Sequence, residues 1–134
     1  MELSKVLAIG LSSQMPGLVL LDDFDEGVTP VILWNDARYD AQASSLAGKQ
    51  PFQVSSLNSK YSDFQEIGRN AVMAWFTAPK SLWVVQNETD IFRKIKPIAL
   101  SKDYVRFWLT REKTSDMSDA RGTLWLDLEK REYS

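Results

Sequence analysis

Short apolar runs that each stop at a turn alternate with stretches whose apolar residues recur at helical spacing, and this alternation limits the chain more than any other feature. Residues 5–13 (KVLAIGLSS) read as a buried strand leading into a loop. Gln14-Met15-Pro16-Gly17 follows as a turn, in which Gly17 can supply a positive φ. Leu18 to Leu21 and Pro30 to Trp34 read as second and third strands. The acidic stretch between them, Asp22-Asp23-Phe24-Asp25-Glu26-Gly27, reads as a solvated hairpin connection. It does not fit a calcium loop, because placing Gly27 sixth puts Phe24 at the third ligand position.

The period then changes. Asn35 or Asp36 can cap a helix running to Leu46, with Gly48 placed to stop it. Residues 49–60 carry no period and read as a surface loop. Ser62 and Gln65 fit a capping box, with Phe64, Ile67, Ala71, Val72 and Trp75 on one helical face. Thr77 can cap the next helix, with Pro79 in its first turn and Lys80 to Val85 following. Thr89 with Asp90 can cap another, carrying Ile91, Phe92 and Ile95, which Pro97 ends. Ile98 to Leu100 suggests a short buried strand, and Ser101 starts a helix with Tyr104, Val105 and Trp108 inward. Thr123 to Leu128 is ambiguous between strand and helix. Apolar strands alternating with amphipathic helices imply an α/β layer structure, and residues 1–134 read as one unit.

Composition mainly excludes chemistry. The 134 residues contain no Cys and no His, which removes disulfides, thiolate nucleophiles, Ser–His–Asp triads and imidazole-held zinc. Any metal would have to be a hard cation on carboxylates. Sixteen basic against 18 acidic residues leave no strong field to attract nucleic acid or anionic lipid. Lys5 before the apolar run Val6 to Leu11 faintly resembles a signal peptide, but the run is short, is broken by Gly10 and lacks a cleavage site. No other stretch approaches the ~18 apolar residues of a membrane span, so the expectation is a cytoplasmic protein with no membrane partner.

Six scattered glycines form neither of the common phosphate-cradling motifs. Asp116 and Asp119, three apart, could be bridged by a cation, but read better as acids at a helix N-terminus. Of the five tryptophans, Trp83, Trp108 and Trp125 read as core, whereas Trp34 and Trp75 stand beside turns where a side chain can face a cleft. Lys102 and Asp103 beside Tyr104 read as a solvated helix start.

Several segments taken together resemble the FGGY family of carbohydrate kinases, and within it the xylulose kinases. Ala8-Ile9-Gly10-Leu11-Ser12-Ser13-Gln14-Met15 followed by Gly17 to Asp22 is similar to the family's strand–loop–strand at the sugar site. Ile32-Leu33-Trp34-Asn35-Asp36-Ala37-Arg38 resembles the strand end that follows. Phe76-Thr77-Ala78-Pro79-Lys80 with Leu82-Trp83-Val84 resembles the first family signature. Leu100 to Tyr104 and Ser115 to Thr123 continue in the same order, so the match runs from about residue 5 to the end.

The resemblance implies a partial ribonuclease-H-like domain of the actin and hexokinase type, a mixed sheet with flanking helices. It implies a parent enzyme that uses ATP and Mg to phosphorylate a ketopentose such as D-xylulose. The family's D-x-G-T phosphate turn and the second-domain Asp base have no counterpart in this sequence. Residues 1–134 therefore resemble an internal, incomplete N-terminal domain, inactive alone, with no catalytic residue, no metal ligand and no cofactor of its own. The alternative is a natural truncated, non-catalytic binding or scaffold module. By position, Met15, Pro16, Trp34 and Trp75 carry over as sugar-binding residues. Departures are Pro16 where the family loop has His, Trp75 and Arg111 where it has Gly, and Ser81 where it has an apolar residue. The family places further strands before residue 5, which implies an unpaired sheet edge and self-association through it.

Overall fold

The computed structural model describes residues 3–36, 38–47 and 69–133. Leu18 to Leu21 are buried throughout, as a continuous apolar run requires. At their centre β1 (Val19–Leu20) pairs antiparallel with β2 (Ile98–Ala99), Val19 opposite Ala99. On the other side Leu18 exchanges both backbone hydrogen bonds with Ile32, at 2.9 and 3.0 Å, and Leu21 bridges Gly27. The acidic connection closes as expected of a polar turn: the Asp22 carboxylate accepts from the N–H groups of Phe24 and Glu26. A second small sheet pairs β3 (Leu126–Asp127) with β4 (Glu132–Tyr133), which settles the ambiguous C-terminal segment as a turn of 3-10 helix followed by strand.

The helices are α1 (Asp40–Leu46), α2 (Thr77–Asn87), α3 (Thr89–Phe92), α4 (Ser101–Thr110) and α5 (Met117–Ala120). Helices α1 and α2 pack together, their polar edges joined by Gln42 Nε2 donating to Gln86 Oε1 at 2.8 Å. Two apolar groups result. One gathers Tyr39, Ala43, Leu46, Val72, Ala74, Ala78 and Leu124; the other gathers Leu18, Leu20 and Val84, with Ile32 and Trp83 packed against both. The α/β class therefore holds, with strand confined among the described residues to two two-stranded sheets.

Several local expectations fail for identifiable reasons. Residues 6–13 are not a buried strand: Leu7 is 99% and Ile9 68% exposed, because no strand among the described residues lies alongside to pair with them. Helix α1 starts at Asp40 with no side-chain cap, because Asp36 spends its carboxylate on Arg38 and Tyr39. Residues 71–75 are not helical. Val72 and Ala74 point inward while Ala71, Met73 and Trp75 are exposed, the two-residue alternation of extended chain. The capping box, Phe64, Ile67, the loop 49–60 and Gly48 lie outside the described residues. In α4 the buried residue is Phe107, while Val105 and Trp108 are about half exposed, so Trp108 is not core. The inward edge of the helix includes Lys102 and Asp103, which are mostly buried in an ion cluster. Ile98, on the strand read as buried, is likewise partly exposed.

Arg111 closes α4 in the left-handed region with φ 64°. Its guanidinium lies 4.9 Å from the Trp108 ring centre, which offsets part of the strain. Arg111→Gly should raise stability by up to about 1 kcal/mol in thermal or urea unfolding.

Candidate functional site

Three parts of the chain grip the Met15–Gly17 turn, whose Met15–Pro16 peptide is cis. From below, the N-terminal turn of α2 buries Thr77, Ala78, Pro79 and Lys80. The Lys80 ammonium, fully buried, donates to the Pro16 carbonyl at 2.6 Å across 64 residues of sequence. From one side, Gly17 meets the start of α4 so closely that a Cβ there would lie 1.9 Å from Ser101 Oγ. The glycine is thus needed for close approach and not for the positive φ its sequence context suggested. From the other side, Gly122 sits under the turn, where an added Cβ would lie 3.3 Å from Pro16 Cβ and 3.5 Å from Met15 Cε.

The Trp34 segment reaches the same lysine electrostatically. Asp36, two residues beyond Trp34, holds Arg38 through a two-pronged contact, Nε at 2.9 Å and Nη2 at 2.6 Å, and accepts from the Tyr39 hydroxyl at 3.1 Å. Hydrogen bonds from Arg38 hold the Asp36 carboxyl down at about 2, while burial and then the bond to Asp36 push Tyr39 up to about 12. Arg38 also lies over the Trp83 ring at 5.2 Å. Desolvation lowers Lys80 to about 8, and the field of Asp36 opposes that shift.

Of the four residues carried over by position, Pro16 is buried in the turn; Met15, Trp34 and Trp75 are 44%, 52% and 47% exposed. Trp75 leans on Phe76, ring centres 6.2 Å apart, immediately before α2. Lys80, Asp36 and Ser101 are additions that sequence reasoning missed. One signal was available for Lys80: a lysine inside Ala-Pro-Lys-Ser-Leu-Trp-Val-Val has mostly apolar neighbours along the helix.

The second cluster is ionic. Lys102 Nζ lies 2.6 Å from Asp103 Oδ1, 2.6 Å from Asp116 Oδ2 and 3.3 Å from Asp119 Oδ2. The cation that bridges Asp116 and Asp119 is therefore a lysine, and Lys102 and Asp103 are mostly buried instead of solvated. Asp116 also caps α5, accepting from Ser118 N and Asp119 N, as the helix-terminus reading anticipated. Burial lowers the Lys102 affinity for its proton, but the hydrogen bonds it donates to Asp103 and Asp116 outweigh it and hold the ammonium above its ordinary range. Asp116 is held well below the usual carboxylate range, first by Lys102; burial raises Asp119.

Among the described residues no group of acids converges to hold a metal ion; the densest acidic group is occupied by Lys102. Two cavities, of about 390 and about 530 Å³, open beside α4, and neither is lined by Met15, Pro16, Trp34 or Trp75. No helix of the described residues is long and apolar enough to cross a membrane.

The chain belongs to the FGGY family of carbohydrate kinases: the model of that family's N-terminal domain matches residues 1–134. It is 42% identical to a xylulose kinase of Escherichia coli (strain K12) and 39% identical to one of Klebsiella pneumoniae, covering 99% of this chain and 25% of each relative. A xyloylose kinase crystal structure from Brucella ovis superposes with a TM-score of 0.86 at 45% identity, over 99% of this chain and 26% of that one. A gluconate kinase from Lactobacillus acidophilus superposes with a TM-score of 0.78 at 26% identity, over 97% of this chain and 25% of that one. The chain thus spans about a quarter of the length of the relatives it matches.

Proposed function

We propose that residues 1–134, as an incomplete N-terminal domain, supply the sugar-binding side of a cytoplasmic carbohydrate kinase that transfers the ATP γ-phosphate to a ketopentose such as D-xylulose. Met15 and Pro16 meet the sugar, and Trp34 and Trp75 offer it aromatic faces. The observation that carries this reading is the turn itself. A surface loop held by a buried ammonium, a close glycine contact and a second glycine beneath is fixed more firmly than a mere connection needs. Identity to xylulose kinases favours a ketopentose, because the fold alone is shared with a gluconate kinase.

Transfer also needs bound ATP, Mg and a base. In this proposal ATP, Mg and the base are supplied by the remainder of a full-length kinase. Calorimetric titration should show saturable binding of D-xylulose and weaker binding of D-gluconate, with no ATP turnover. Binding neither sugar, or phosphorylating D-xylulose unaided, would overturn the proposal.

Residues 6–11 form no strand, so the self-association expected of a sheet edge is proposed instead through their exposed apolar side chains, Leu7 and Ile9 above all. Light scattering should report a mass that grows with concentration, and Leu7→Lys with Ile9→Lys should return it to that of one chain.

A further inference from the structure

We infer that Lys80 is a positioning residue for the sugar turn: its buried ammonium, bound to the Pro16 carbonyl, sets where Met15 and Pro16 stand. This rests on the reading of the turn as sugar-binding. Lys80 is fully buried, yet its hydrogen bond goes to the backbone of a turn 64 residues away. A buried lysine without a carboxylate in contact is costly to stability, and an apolar residue of similar size would fill the same volume. What the ammonium adds is direction. It holds one carbonyl at 2.6 Å and so fixes the Pro16–Gly17 peptide plane, and with it Pro16 and the Met15 that precedes it.

The position is also shielded from competing partners. Asp36 is the charged group whose field reaches Lys80, and Asp36 is already engaged by Arg38 and Tyr39. Thr77, one turn earlier on α2, keeps its buried hydroxyl without a hydrogen-bond partner among the described residues. Gly17 and Gly122 close the turn from either side, so loss of the lysine contact would be read at Met15 and Pro16 first.

The test uses protein labelled at the methionine methyl groups. Between pH 6.5 and 9.5 the Met15 methyl signal should move with a midpoint near 8, where Lys80 gives up its proton, while Met73 and Met117 stay still. Asp36 at about 2 and Tyr39 at about 12 titrate outside that window. In Lys80→Leu the movement should vanish, and D-xylulose affinity should fall tenfold or more in protein whose circular dichroism is unchanged. A Met15 signal that stays still in the wild type, or moves equally in Lys80→Leu, or a folded Lys80→Leu with unchanged affinity, would overturn the inference. If Lys80→Leu does not fold, the wild-type titration decides. If the wild type binds no D-xylulose, the functional reading fails while the methyl titration still judges the lysine.

Discussion

Lys102→Met should destabilise the protein by about 3 kcal/mol at pH 7, the penalty for leaving buried carboxylates without their cation. Three acids converge on the one ammonium, and Asp103 and Asp119 are largely shut off from water. Without Lys102 the three carboxylates repel one another. The sign of the pH dependence follows. Burial already raises the Asp119 carboxyl, and the variant loses the cation that opposes that shift, so the charged form of Asp119 opposes folding. The deficit should therefore be greatest at neutral pH and shrink as pH falls through the carboxylate range. Urea unfolding at pH 7 and pH 4.5 measures both. An equal loss at the two values would mean that Lys102 acts through packing of its stem, not through charge.

Gly17→Ala should be the second most damaging of these changes, at about 2 kcal/mol, because the new methyl must displace the start of α4. The added carbon would lie 1.9 Å from Ser101 Oγ, closer than packed atoms come, and a tight 3.2 Å from Ser101 Cβ. Ser101→Ala alone should cost little, since the Ser101 hydroxyl is buried with no hydrogen-bond partner among the described residues. Combined, the two substitutions should recover at least about 1 kcal/mol of the loss, a coupling that only direct contact produces. Additive effects would place the cost of Gly17→Ala elsewhere.

These two positions also show what could be read in advance. The run Leu18 to Leu21 was legible as a strand and the acids of 22–27 as a polar turn, because both depend on neighbours in sequence; the burial of the strand on both faces was not read. The cap at Asp116 was legible for the same reason. Lys102 was not. A lysine and an aspartate at a helix start look solvated until residues 116 and 119 arrive from a distant segment. Gly17 was correctly marked as special, but turn chemistry suggested a positive φ where the fold required room for Ser101. Trp34 and Trp75 were identified beside turns, and each keeps about half its surface open. The Lys80 contact was hidden because nothing local links residue 80 to residue 16.

The central claim is that this turn and its flanking tryptophans receive a ketopentose, and tryptophan emission during titration with D-xylulose tests it most directly. The wild type should show a saturable change. Trp34→Phe should lose most of that change while calorimetry still reports binding, because the aromatic face remains. No saturable change in the wild type, or an undiminished one in Trp34→Phe, would contradict the account.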